Sequence, residues 1–282
     1  MAERLTAGPG RGPTLVRCAE VYPCQVLIDV TDPADPRLGD FTRLRDAQLR
    51  RAEDRFVAEG LKIIERAFAA GCRPRSLLLQ PRWLAGLEPL LAAHPEVPVY
   101  VAPERLIERV SGFHVHRGAL GSFDRPAEAP WEALLAARRL MVCEEVVDHA
   151  NTGAIARVAA GLGWDGLLVS PGGADPLYRR AIKSSMGATL ELPWRRMGGD
   201  ADLGRLREAG FRLVAATLSP MAVPVDDYRP GERVALLLGT EGAGLSPAWQ
   251  AAADDHVTIP MTDRVDSLNV ATAAAILAYA LR

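Results

Sequence analysis

The chain has 282 residues, 49% of them hydrophobic and 24% charged, with a formal net charge of −2. That length allows one large or two modest domains, and that composition excludes wholesale disorder. A balance so near neutral excludes a protein that coats nucleic acid nonspecifically, while leaving local basic patches free to meet phosphate.

No apolar run reaches the roughly 18–20 residues that span a bilayer. Residues 1–13 mix Gly and Pro with charges and lack an apolar core, so they do not read as a secretory signal; residues 1–25 are expected to form a flexible tail. The four cysteines, Cys18, Cys24, Cys72 and Cys143, show no CxxC pair and no histidine at ligand spacing. They predict neither a metal site nor a disulfide framework, and a reducing cytoplasm is the expected location.

A first unit is expected over 26–123. Its elements are a strand at 26–28, a Pro/Asp-rich loop over 31–40, a helix over 56–70 on the spacing of Phe56, Leu61, Ile64 and Phe68, a strand at 76–79, a helix at 83–93, a strand at 97–101, a helix from Pro103 to about 110, and a closing strand at 118–123. This rhythm implies a small α/β sandwich. Residues 124–137 read as a linker. The second unit, 138–282, carries expected strands at 140–143, 166–169, 189–192, 212–216, 234–238 and 256–259, with helices at 152–161, 177–185, 202–209, 247–253 and 267–281. Such alternation predicts a mostly parallel sheet covered on both faces.

Three blocks in the second unit carry polar side chains that folding does not require. The first is Asn151-Thr152-Gly153-Ala154-Ile155-Ala156-Arg157, where Asn151 or Thr152 reads as a helix cap and Arg157 as a solvated helix residue. The second is Gly239-Thr240-Glu241-Gly242-Ala243-Gly244, a turn after an apolar strand that brings backbone amides close to a ligand. Its G-x-x-G-x-G order is neither a dinucleotide fingerprint nor a phosphate loop, and Glu241 favours a cationic or neutral ligand. The third runs from Ile259-Pro260-Met261 to Ser267-Leu268-Asn269-Val270; Ser267 is a good cap for the last helix, whereas capping explains Asn269 poorly.

In order and placement these blocks resemble the three signature motifs of the SpoU (TrmH) family of RNA ribose 2′-O-methyltransferases. The resemblance covers roughly 140–281. It extends more weakly to the first unit, which looks like the small ribosomal-protein-like substrate-binding domain often fused ahead of the catalytic one. A glycine commonly follows IPM in the family; here Asp263 stands in that neighbourhood. The resemblance implies a parallel sheet ending in a deep trefoil knot, a homodimer, and S-adenosyl-L-methionine as cofactor with no metal. The cofactor would be held near Thr217, Leu238, Gly239, Glu241, Gly242, Ile259, Met261, Ser267 and Leu268. It implies further that Asn151, Arg157, Glu241, Ser267 and Asn269 serve catalysis.

The implied reaction is attack of a ribose 2′-oxygen on the cofactor methyl. Arginine resists deprotonation, with a pKa above ~12, so Arg157 is expected to bind phosphate and stabilise the developing alkoxide, with the other four orienting it and the ribose. RNA selection is expected from the first unit, through Arg43, Arg45, Arg50, Arg51 and Arg55 and through His114, His116 and Arg117; Arg179, Arg180 and Lys183 make another basic cluster. Ribosomal RNA is favoured over transfer RNA by family analogy. The alternatives are an inactive RNA-binding relative, against which the intact polar residues argue, and a doubly wound dehydrogenase or methyltransferase. The latter would place its Gly-rich loop after the unit's first strand, not near the C-terminus.

Overall fold

The computed structural model describes residues 26–42, 44, 54–115, 118–262 and 264–282. The expected tail, Arg43, Arg45, Arg50, Arg51, His116, Arg117 and Asp263 lie outside those residues. The chain divides into two compact units, 1–126 and 127–282.

The first unit holds strands β1 (Leu27–Asp29), β2 (Arg55–Glu59), β3 (Pro74–Leu79), β4 (Val99–Val101) and β5 (Ala119–Asp124), with helices α1 (Leu61–Ala69), α2 (Glu88–Ala93) and α3 (Glu104–Ser111). The sheet order is β1-β4-β3-β5-β2; β1, β4 and β3 run parallel, and β5 runs antiparallel to both its neighbours. The expected loop over 31–40 contains a 3-10 turn, Pro36–Phe41, which buries Leu38 and Phe41.

Two expectations fail here for local reasons. The helix read over 56–70 is a strand followed by a helix. Phe56, Val57 and Ala58 are all buried, as a strand covered on both faces requires, and pair with Phe123, Ser122 and Gly121. The helix read over 83–93 is two 3-10 turns, Pro81–Trp83 and Ala85–Leu87, and then α2. Pro89 sits in the first turn of α2, where its missing N–H costs nothing; a helix begun at Trp83 would have put it in the interior.

The second unit is a seven-stranded sheet in the order β10-β12-β9-β11-β6-β7-β8, parallel throughout. Its strands are β6 (Arg139–Cys143), β7 (Gly166–Val169), β8 (Trp194–Arg196), β9 (Arg212–Ala216), β10 (Val223–Pro224), β11 (Val234–Leu238) and β12 (Asp255–Thr258). The helices are α4 (Trp131–Leu135), within the stretch expected as a linker, α5 (His149–Gly161), α6 (Arg179–Ser184), α7 (Ala201–Glu208), α8 (Pro247–Ala252) and α9 (Val270–Ala280). Strands β7 and β11 are buried end to end, the pattern of a parallel sheet with helices on both faces. The strand expected at 189–192 is a 3-10 turn, Ala188–Leu190. Ser185 Oγ accepts from Gly187 N at 3.2 Å and closes the backbone there, so the edge strand forms only after Pro193.

From β6 the chain builds outward through β7 and β8, then returns to build the other side. The strand order therefore reverses around β6 and β11, and in open parallel sheets such a reversal leaves a crevice at the carboxyl ends of the strands. Helix α5 packs on α6 at Gly153, where a Cβ would stand 2.2 Å from Ala181 O and 2.0 Å from Ser184 Oγ. The last helix is tied back by Trp164 Nε1, which donates to Ala278 O at 3.1 Å, and by Arg139 Nε, which donates to Leu281 O at 2.9 Å. Cys72 and Cys143 are buried free thiols, and burial pushes Cys143 up to about 12.

At the start of β9 and β12, Arg212 donates to both carboxylate oxygens of Asp255 at 2.6 and 2.9 Å, and the Tyr228 hydroxyl donates at 2.7 Å. The Arg212 guanidinium holds the Asp255 carboxyl below its ordinary range, and burial pushes Tyr228 up to about 12. A depressed carboxylate adds stability that is complete above its unfolded value, near ~4, and is lost as pH falls through the folded one. The melting temperature of the native protein should therefore fall more steeply below pH ~4 than that of Asp255→Asn, in thermal melts taken across the acid range.

Candidate active site

A cavity of about 350 Å³ opens at the carboxyl ends of β9, β11 and β12. All nine residues expected around a cofactor line it: Thr217 after β9; Leu238, Gly239, Glu241 and Gly242 at the end of β11; Ile259 and Met261 after β12; Ser267 and Leu268 before α9. Sequence reasoning missed the rest of the wall, which includes Leu245, Gln250, Val257 and Leu277. Val257 was within reach, since it shares an expected strand with Ile259. Gln250 lies on a helix with no motif and gave no signal.

The β11 loop is shaped by close approach. A Cβ on Gly239 would stand 2.1 Å from Gly244 C and 2.2 Å from Leu245 N, so backbone occupies the place of a side chain. Thr240 and Gly244 exchange N–H···O bonds of 3.0 and 3.1 Å, and Gln250 Nε2 donates to Leu245 O at 2.8 Å. The wall is therefore formed by backbone and by apolar and polar side chains, and Glu241 joins it to a cluster of further polar groups.

Those polar groups come from all three sequence blocks. Asn151 Nδ2 donates to Glu241 Oε1 at 2.7 Å; Asn269 Nδ2 donates to the same oxygen and to Asn151 Oδ1 at 3.0 Å. Bonds to a carboxylate are stronger than neutral ones. Both expected caps move. The α5 cap is Asp148, whose Oδ1 accepts from Ala150 N at 2.6 Å, which leaves the Asn151 side chain free for the cluster. The α9 cap is Asn269, not Ser267: its Oδ1 accepts from Ala271 N at 2.9 Å and Thr272 N at 3.2 Å, and the helix begins at Val270. Ser267 is exposed on the cavity wall.

Arg157 does not join this cluster within one chain. It is exposed on α5 and makes no ion pair among the described residues. Six residues beyond Asn151 place it about 9 Å along the helix and roughly 240° around it. Near the start of the same helix, the His149 ring packs on that of Tyr178 at a tilt of 49° with centroids 4.2 Å apart, and burial lowers the His149 pKa.

Of the residues expected to meet RNA, two are described, and both are engaged. Arg55 pairs with Asp40 at 2.8 Å, and Asp40 also accepts from Arg75 at 3.1 Å and Ser122 at 2.7 Å. This ion-pair network at the start of β2 holds Arg55 in the fold, a partner that sequence gave no means of seeing. His114 hydrogen-bonds Glu108. Among the described residues, one group has metal-type donors within 4.8 Å of one another, Glu104, Glu108 and His114 in the first unit.

A parallel α/β unit with a cavity at its strand ends and a polar cluster beside it has the architecture of a small-ligand site. Comparison with known proteins makes the class specific. Residues 138–279 match the model of the SpoU rRNA methylase family, and residues 35–118 match that of the MRM3-like substrate binding domain. An uncharacterized tRNA/rRNA methyltransferase of Mycobacterium tuberculosis is 40% identical over 272 residues, 93% of this chain and 94% of the relative. The 23S rRNA (guanosine(2553)-2′-O)-methyltransferase RlmP of Bacillus subtilis is 32% identical over 153 residues, 54% of this chain and 61% of the relative. The crystal structure of an AdoMet-bound rRNA methyltransferase from Sinorhizobium meliloti superposes with a TM-score of 0.78 at 25% identity, covering 91% of this chain and 97% of that one. The chain belongs to the SpoU rRNA methylase family.

The close approach at Gly239 can be tested directly. Gly239→Ala is expected to destabilise the protein by about 2–4 kcal/mol in denaturant unfolding, since backbone must move to admit the methyl group. Gly231→Ala, where a Cβ meets nothing within 4 Å, should stay within ~0.5 kcal/mol of the native protein.

Proposed function

We propose that the protein transfers a methyl group from S-adenosyl-L-methionine to a ribose 2′-hydroxyl of structured RNA, ribosomal RNA in preference to transfer RNA. The observation that carries this reading is the hydrogen-bonded cluster of Asn151, Glu241 and Asn269 on the rim of a cavity suited to an adenosyl group. Three features of the cavity fit that cofactor. Its volume of about 350 Å³ is ligand-sized. Its wall of backbone and of Leu238, Ile259, Met261 and Leu268 suits a flat neutral base. Among the described residues that line it, Glu241 is the one carboxylate, which suits a ligand that carries positive charge.

When bound, the cofactor supplies a methyl group on a cationic sulfur, which leaves without help from a metal. The work left to the chain is to align a ribose hydroxyl and ease the loss of its proton. Glu241, fixed by two amides, holds an acceptor at the rim; Asn151 and Asn269 set its direction. Ser267, exposed on the wall, offers a hydroxyl to the ribose or the cofactor.

Arg157 supplies the cation. Its exposed place around α5, away from Asn151, is in keeping with a homodimer in which a second copy brings it to the cavity. Exposed Ile276 and Tyr279 on α9 support such pairing, since apolar side chains on a helix face favour a partner. The reading includes the trefoil knot that the family resemblance implies in the loops after β11 and β12, and a cytoplasmic site of action. RNA selection falls to the first unit, whose match is to a substrate-binding domain.

Incubating cellular RNA fractions with the protein and the cofactor should create new 2′-O-methyl sites in ribosomal RNA; their absence from every fraction overturns the reading. Arg157→Ala should lower kcat on that RNA by about 100-fold or more while leaving cofactor affinity within about twofold. Arg157→Lys should recover little of the loss, because a point charge cannot replace a planar, bidentate one. Near-normal turnover in the lysine variant sinks that role.

A further inference from the structure

Immediately after β6, the strand beside β11 in the sheet, two consecutive glutamates leave the chain in different directions. Glu145 has φ +50°, a left-handed backbone that non-glycine residues adopt only when held there. It is held: Glu145 N donates to Ser170 Oγ at 2.8 Å, and Glu145 Oε1 accepts from that hydroxyl at 2.7 Å and from Gly172 N at 3.1 Å. Glu144 reaches the other way. Its backbone N–H donates to Leu238 O at 2.8 Å, and its Oε2 accepts from Ser246 N at 2.7 Å. Glu144 is only 7% exposed, one of few carboxylates buried so deeply among the described residues.

We infer that Glu144 is a positioning residue for the cofactor, fixing the backbone of the β11 loop from beneath without touching the ligand. Leu238 and Ser246 bracket that loop, and Glu144 holds both ends, one through its backbone and one through its carboxylate. Gly242, Gly244 and Leu245 on the cavity wall lie between those two anchors. Ser246 is also the cap of α8, its Oγ accepting from Trp249 N at 3.3 Å, and Trp249 is buried in the core of the unit. Without the carboxylate, Ser246 N–H loses its acceptor within the fold, and the loop must find its bound shape at the moment the ligand arrives. The cost then falls on binding, because ordering a loop weakens affinity while leaving the chemical step alone.

This inference rests on the cofactor reading above, and its test separates the two. Binding of S-adenosyl-L-methionine is measured by calorimetry, and turnover is measured at saturating cofactor, for the native protein, Glu144→Ala, Glu144→Gln and Glu144→Asp. The alanine variant should bind roughly tenfold more weakly with a correspondingly raised KM, while kcat changes by less than about twofold. Glutamine keeps an acceptor oxygen at the same reach and should restore affinity to within about threefold. Aspartate keeps the charge but withdraws it by one methylene, so it should bind like alanine, and it provides the measurement if alanine does not fold. Native-like affinity in alanine or aspartate, a loss confined to kcat, or a glutamine variant as weak as alanine each overturns the inference. A native protein that does not bind the cofactor at all overturns the cofactor reading, and this inference with it.

Discussion

Two carboxamides and one carboxylate fix the geometry on which the rest of the site depends. Asn151 and Asn269 stand 118 residues apart and both donate to Glu241 Oε1. That convergence requires three loops to arrive in register, and each is set independently. Asp148 fixes the start of α5, the Thr240–Gly244 pairing fixes the β11 loop, and Asn269 fixes α9 by capping it. A fault in any one misplaces the carboxylate relative to its donors. The parallel sheet beneath supplies the common frame, because β6 and β11 are adjacent and in register from Arg139 and Val234 to Cys143 and Leu238.

Much of this was legible in the sequence, and the failures have identifiable causes. The alternation of apolar strands and helices gave the central strands of the second unit, because they are apolar runs bounded by turn residues, while it misplaced the edge strand β8 and missed β10. The first unit was harder, because Phe56 stands at helical spacing from Leu61, Ile64 and Phe68 by coincidence, while its real partner is Phe123 across the sheet. A non-local pairing of that kind leaves no trace in local periodicity. The same limit hid Asp40, which takes up Arg55 through a contact that sequence distance conceals.

The caps show where local rules give the right chemistry at the wrong residue. Ser267 satisfies every preference for a helix cap, yet the cap lies two residues later, at Asn269, and α9 starts at Val270. Capping had looked like a poor explanation for Asn269 because an amide is a poor helix former; the residue does cap, and does something more. Its Oδ1 serves Ala271 and Thr272 while its Nδ2 serves Glu241 and Asn151. Serine could make only the first set of bonds with its acceptor and would be too short for the second.

The same reasoning explains why the cluster is built from amides. Aspartate at 151 or 269 would also fit a helix N-terminus, and would gain from the helix dipole. Beside Glu241, however, it would place a second carboxylate within hydrogen-bond distance of the first, and like charges so close cannot both stay ionised. Asparagine has nearly the same shape and supplies a donor where aspartate supplies repulsion. The direction of the Glu241 carboxylate is thus set by neutral groups. In the proposed reaction a cationic ligand would meet that oriented carboxylate, and the positive charge at the ribose would fall to Arg157.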